Sequence, residues 1–150
     1  WAITFQPGRG APASLMLPAL ADWTQNADPG VRYFSGTATY RQTLKVPAAK
    51  PGQRLILDLG DVRDVAEVLV NGTSASVLWQ PPYEADITAL ARAGANSIEI
   101  RVTNLWVNRL IGDAQPGAKP ITFTTLKTYR ADAPLRPSGL IGPVTLVAEK

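Results

Sequence analysis

The sequence predicts an all-β fold, an antiparallel sandwich or barrel built from short strands. Three observations predict it. Apolar and polar residues alternate with period two along much of the chain, as they do in strands buried on one face. Turn formers punctuate these runs, with 13 prolines and 12 glycines in 150 residues. No helical period persists beyond a turn or two, which argues against an α/β arrangement.

The elements follow in order. Trp1-Ala2-Ile3-Thr4-Phe5 opens the chain as a strand. In residues 37–46, Ala38, Tyr40, Leu44 and Val46 share one face, while Thr37, Thr39, Arg41, Thr43 and Lys45 share the other. Leu55, Leu57 and Leu59 alternate with Ile56 and Asp58 in a second, more buried strand. Ala66, Val68 and Val70 continue the pattern, with Glu67 pointing away. Asn71-Gly72 then supplies the dipeptide that best tolerates the positive φ angles of a tight hairpin turn. The returning strand is expected to run through Ala75, Val77 and Trp79.

Residues 97–103 give the cleanest alternation, with Ile98, Ile100 and Val102 inward and Ser97, Glu99, Arg101 and Thr103 outward. A last strand is expected over 144–148. The best helical candidates are residues 17–24 and 88–93, the latter stopped by Gly94. Residues 104–142 break the rhythm with many prolines and glycines, and only 121–129 read as strand-like. Long irregular excursions from a β scaffold tend to carry contacts.

Composition bounds the function. A length of 150 residues with 45% hydrophobic content fits one globular domain with its own core. No apolar run approaches the roughly 20 residues that span a bilayer. The chain opens on Trp1 without an initiator Met or a signal-like region, and reads as a piece of a larger protein. Cysteine and histidine are both absent, which removes disulfides, thiolate nucleophiles, the usual zinc ligands and the commonest general base. The formal net charge is +3, and the 15 basic residues do not form the run expected of a nucleic-acid partner.

Glycoside hydrolysis needs two carboxylates at a set separation. Glu84 and Asp86 project from one side of an extended segment, roughly 7 Å apart. Catalytic carboxylates normally come from different elements, so these are expected to be surface or capping acids, Asp86 capping the turn at Thr88. Serine without histidine gives no triad. Asn71-Gly72-Thr73 matches a glycosylation acceptor, but the hairpin turn accounts for it, and Gly8-Arg9-Gly10 lacks the context of a phosphate loop.

Trp79, Tyr83 and Trp106 lie in turn-rich surroundings near Gln80, Asn104, Asn108 and Arg109. Sugar faces stack on aromatic rings, and sugar hydroxyls bond to amide and guanidinium groups. The other reading is that these rings plug the ends of the sandwich or face another domain. Residues 104–113 and 137–142 are expected side by side, because the strands 97–103 and 144–148 that adjoin them are expected to pair. Trp106, Asn108 and Arg109 would then share an exposed surface with Ser138 and Leu140.

The motifs add a resemblance. Leu57-Asp58-Leu59-Gly60-Asp61-Val62, Val65 through the Asn71-Gly72 turn, Asp86-Ile87-Thr88 and Ala93-Gly94-Ala95-Asn96-Ser97-Ile98 resemble, in that order, the sugar-binding jelly roll of family 2 glycoside hydrolases. Residues 34–40, Trp79-Gln80-Pro81-Pro82-Tyr83, residues 102–113 and residues 134–144 resemble the C-terminal region of bacterial family 106 α-L-rhamnosidases.

The resemblance implies a two-sheet antiparallel jelly roll, galactose-binding-like, spanning residues 1–150 as a single domain. It implies a non-catalytic accessory role, with the catalytic carboxylates on a separate barrel. The expected partners are the catalytic domain of the same parent chain and a plant or bacterial polysaccharide, in a periplasmic or secreted bacterial setting. A free-standing carbohydrate-binding module is the alternative. No catalytic residue is assigned. Trp79, Tyr83, Trp106, Asn108, Arg109 and Ser138 are the expected carbohydrate or interface contacts. No cofactor is assigned, though jelly rolls of this type often carry a structural calcium.

Overall fold

The structure is a computed structural model and describes residues 1–48 and 51–149. In chain order the strands are β1 (Ala2–Phe5), β2 (Ser14–Met16), β3 (Thr37–Val46), β4 (Arg54–Asp58), β5 (Asp61–Arg63) and β6 (Val65–Val70). They continue with β7 (Thr73–Leu78), β8 (Glu84–Asp86), β9 (Gly94–Thr103), β10 (Gly139–Gly142) and β11 (Thr145–Glu149). Two short helices, α1 (Pro29–Arg32) and α2 (Val107–Asp113), sit outside the sheets. One six-stranded sheet runs in the order β2-β1-β3-β9-β6-β7. A three-stranded sheet, β11-β4-β8, and a two-stranded sheet, β10-β5, complete the fold. All strand pairings are antiparallel, so the predicted all-β sandwich is what forms.

Alternation explains the core. Ile98, Ile100 and Val102 on β9 are buried, and the β3 and β6 strands that flank it bury Ala38, Tyr40, Ala66, Val68 and Val70. Leu55 and Leu57 of β4, Ala85 of β8, Val62 of β5 and Leu140 of β10 join the same cluster. Burial of each Val, Leu or Ile contributes about 1.5–3 kcal/mol, so the central strands dominate the fold's stability. At one margin, Trp23 stacks on Tyr40 with centroids 6.3 Å apart, and it meets Phe34 edge-on at 5.3 Å. Burial pushes the Tyr40 hydroxyl well above its ordinary range, despite the Leu140 amide that donates to it at 3.0 Å.

The Asn71-Gly72 turn forms as expected, with φ of 52° and 84° and Val70 opposite Thr73. The returning strand departs from simple alternation. Val68 faces Ser76 but Leu69 faces Ser74, so Ala75 is the extra residue of a β-bulge. Past the bulge, Leu78 lies opposite buried Ala66 and packs against the core. Val77 and Trp79 are exposed, because one inserted residue exchanges the two faces.

Other expectations are corrected. Residues 17–24 contribute to only one 3-10 turn, Trp23–Gln25, and Thr88 begins a turn in which Leu90 and Ala91 donate to Ile87. The helix lies instead at α2, inside the stretch that read as irregular. Residues 121–129 form no strand. Isolated alternation needs a partner strand, and Phe123, within this run, is exposed. The expected pairing of strands 97–103 and 144–148 is also replaced: β9 lies between β3 and β6, while β11 pairs with β4.

Candidate functional site

Strand register gathers the aromatic candidates at one end of the sandwich. Thr103 closes β9 opposite Thr37 of β3 and Val65 of β6, and Leu78 closes β7 opposite Ala66. Leu105 and Trp106 therefore emerge beside Asp64 and the 35–37 turn, with Trp79 leaving the same end of β7. The Leu105 amide donates to Asp64 Oδ2 at 3.2 Å, and Tyr83 Oη donates to the Asp64 carbonyl at 3.0 Å. Burial is the main cause that pushes the Tyr83 hydroxyl up, with the Asp64 charge adding to it.

Trp79 is 68% exposed and Trp106 is 51% exposed. The Arg9 guanidinium lies 4.8 Å from the Trp106 ring centroid, a cation–π contact that occupies one face. These two indoles are the exposed aromatic surface of this end.

Beneath Trp106, the amide candidates are internal. Asn108 Nδ2 donates to the Arg136 carbonyl at 2.7 Å and to Ser138 Oγ at 3.0 Å, while Asn108 Oδ1 accepts from the Arg136 amide at 2.8 Å. Asn104 Nδ2 donates to the Phe34 carbonyl and to Ser138 Oγ, and Asn104 Oδ1 accepts from the Gly36 amide. Ser138 Oγ donates to the Arg136 carbonyl, and the Ser138 amide donates to Asp22 Oδ1. Ser35 Oγ donates to the Leu105 carbonyl and accepts from the Arg109 amide. Every hydrogen-bonding position of the Ser138 hydroxyl is thus filled.

The expectation that residues 104–113 and 137–142 lie together is met, though by a different route. Pairing of β10 with β5 and the Asn108–Ser138 bond bring them together, not a β9–β11 pair. The expected shared exposed surface is not formed. Asn108, Arg109, Ser138 and Leu140 are all buried, because α2 turns its polar side chains inward to satisfy loop carbonyls and amides. The amphipathic pattern hid this, since seven residues with three polar side chains, Asn108, Arg109 and Asp113, facing inward show no apolar stripe.

Arg109 and Asp113 form a second node. Arg109 Nη2 lies 2.9 Å from Asp113 Oδ1, one turn apart on α2, and the Arg109 guanidinium lies 6.0 Å from the Tyr33 ring centroid. Asp113 Oδ2 accepts from the amides of Ile121 and Thr122 and from the Thr122 hydroxyl. Burial alone would raise the Asp113 carboxyl. The Thr122 and Ile121 donors and the Arg109 charge outweigh it and hold the group below its ordinary value. Sequence inspection missed this carboxylate as an anchor, and the signal for it was its spacing of four residues from Arg109.

Glu84 and Asp86 fall on the exposed face of β8, as expected. Asp86 accepts from the Thr88 amide and hydroxyl and pairs with Arg54 at 3.0 Å. The Thr88 donors are the largest cause that holds its carboxyl below the usual range. An acid kept ionised in this way caps a turn and makes a poor proton donor. Among the described residues, no three acidic side chains converge to hold a metal ion.

An antiparallel β-sandwich assembled from a six-, a three- and a two-stranded sheet, with exposed indoles at one end, has the architecture of a galactose-binding-like β domain. Residues 22–133 match the family described as Glycosyl hydrolase 2 galactose-binding domain-like, and the chain belongs to that family. It is similar to a rhamnosidase of Novosphingobium sp. PP1Y, with 55% identity and a TM-score of 0.97, covering 99% of this chain and 14% of that one. A Formosa agariphila protein named as a candidate beta-glucuronidase is 36% identical over 85% of this chain and 13% of its own length. The β-glucuronidase of Ruminococcus gnavus shares the fold, with a TM-score of 0.59 and 23% identity over 69% of this chain. The chain thus spans about one seventh of the length of the relatives it matches at higher identity.

Proposed function

We propose that this domain is a non-catalytic accessory domain of an α-L-rhamnosidase-like glycoside hydrolase of the family 106 type. The observation that carries the reading is the likeness to the Novosphingobium rhamnosidase, 55% identical over 99% of this chain. The motifs at residues 102–113 and 134–144 support a place toward the C-terminal part of such an enzyme. They build the Asn108–Ser138 network, so the resemblance falls on residues that shape the fold. Family membership speaks to fold before function, and the site chemistry points the same way. Asp86 is spent on capping, and the buried Asn108, Arg109 and Ser138 side chains are bonded internally.

In this reading the domain packs on the catalytic domain of its parent chain, in a periplasmic or secreted bacterial enzyme acting on plant or bacterial polysaccharide. A free carbohydrate-binding module is the second reading, favoured by the exposure of Trp79 and Trp106. Kinetics with aryl α-L-rhamnosides test the proposal. The parent enzyme is expected to turn over and residues 1–150 alone are expected to show none. Turnover by the isolated chain that vanishes in Glu84→Gln overturns the non-catalytic assignment. A parent chain without rhamnosidase activity overturns the enzyme assignment.

A further inference from the structure

We infer that residues 118–130 form a docking arm that seats on an apolar surface, rimmed by carboxylates, of another domain in the same polypeptide. The inference rests on the reading above that this domain is part of a longer glycoside hydrolase.

The arm presents large apolar side chains to solvent. Phe123 is 89% exposed, Leu126 is 78% exposed and Ile121 is 46% exposed. Single exposed apolar residues are ordinary, but three within six positions of one irregular segment mark an interaction surface. The sandwich core is complete without them, since its buried cluster draws on neither Phe123 nor Leu126.

The arm is held at both ends. Asp113 receives the Ile121 and Thr122 amides at 3.2 and 2.9 Å, and Gln115 Nε2 donates to the Ala131 carbonyl at 2.9 Å. Both anchors come from α2 or its C-terminal end, so the segment leaves the helix and returns to it as a bridge. An open groove of about 680 Å³ adjoins both anchors, lined by Leu110 and Ala114 together with Phe123 and Tyr129. Ordering the arm before contact lowers the entropic cost of docking.

Charge identifies the chemistry of the occupant. Residues 114–137 hold four cations, Lys119, Lys127, Arg130 and Arg136, against one carboxylate, Asp132, a net +3. That equals the formal net charge of the entire chain, so the rest of the molecule sums to zero. Arg130 is paired with Asp132, and Lys119 and Lys127 flank the apolar side chains. A complementary surface is therefore apolar at its centre and acidic at its rim. The length relationship argues that this surface is covalently tethered: this chain covers 14% of the rhamnosidase it matches at 55% identity. A tethered surface needs little intrinsic affinity, because linkage supplies its effective concentration.

Hydroxyl-radical footprinting tests the arm in the full-length parent enzyme and in residues 1–150. Labelling of Phe123 and Leu126 is expected to be at least tenfold lower in the parent, with Trp23 unlabelled in both as the check on folding. Within the parent, Lys119→Glu with Lys127→Glu is expected to restore labelling at least tenfold. This comparison stands even if residues 1–150 do not fold alone. Equal labelling in parent and fragment, or no response to the two charge reversals, overturns the proposal. So does protection that arises only as the fragment is concentrated, or only on adding polygalacturonate. Rhamnoside hydrolysis by the same parent sample separates the two readings. An active parent with an unprotected arm removes this inference alone, and an inactive parent with a protected arm removes the enzyme assignment alone.

Discussion

Asn108 and Ser138, thirty positions apart in sequence, are joined by a 3.0 Å hydrogen bond from the Asn108 amide to the Ser138 hydroxyl. That bond ties α2 to the start of β10 and places Trp106 above a buried polar network. Asn108 also pairs with both backbone groups of Arg136. Substituting Asn108→Leu removes the acceptor of the Arg136 amide and one of the two donors to its carbonyl, the Ser138 hydroxyl being the other, and takes one donor from the buried Ser138 hydroxyl. A loss of about 1–3 kcal/mol is expected. Urea denaturation checks it, and an unchanged midpoint and slope would show that the network contributes nothing to stability.

Gly139 and Gly72 separate two kinds of glycine requirement. Both have positive φ, 97° and 84°. A Cβ on Gly139 would lie 2.5 Å from the Trp23 ring, whereas one on Gly72 meets nothing within 4 Å. Gly139→Ala is expected to cost about 1–3 kcal/mol from overpacking in addition to backbone strain. Gly72→Ala is expected to cost only about 1 kcal/mol from backbone conformation. Thermal melts of the two variants give the comparison, and equal losses would contradict the contact with Trp23.

The two exposed tryptophans differ from the buried one. Trp106→Ala is expected to lower stability by less than about 1 kcal/mol, since the residue is half exposed and one face of its ring meets the Arg9 guanidinium. Trp23→Ala removes a ring packed against Phe5, Phe34 and Tyr40 and is expected to cost about 3–5 kcal/mol. If Trp106 is a sugar platform, rhamnosyl oligosaccharides will quench fluorescence in the native chain and not in folded Trp106→Ala. Identical quenching in both assigns the contact elsewhere.

Asp113 gives the arm a pH dependence of defined sign. Its carboxyl is held below its ordinary value of 3.8 in the folded state. The stabilisation is therefore complete above that value and is lost as pH falls through the lower folded value. Proteolysis within residues 118–130, followed with an acid-active protease, is expected to accelerate as pH drops below about 4. Asp113→Asn is expected to speed cleavage by a neutral protease at neutral pH and to flatten the profile seen with the acid-active one. A native profile as flat as the variant's would remove Asp113 as the anchor.

Period and turn chemistry in the sequence by themselves determined the strands that carry the core and the hairpin between β6 and β7. Alternation over β3, β6 and β9 reports which side chains can share a face, and Asn71-Gly72 meets the positive φ of its turn. Tertiary structure decided what such local signals do not encode. The bulge at Ala75 turned Trp79 outward, and β11 paired with β4 instead of β9. Residues 121–129 alternate like a strand but have no partner edge, so they became the arm. Asn108, Arg109 and Ser138 read as surface groups because their residue types favour water. They are buried because other groups close around them: Asn108 bonds the Arg136 backbone and the Ser138 hydroxyl, 28 and 30 positions away, Ser138 also accepts from Asn104, 34 positions away, and Arg109 pairs with Asp113. A polar side chain's burial is set by whether distant donors and acceptors close around it, and that depends on how the sheets and α2 assemble.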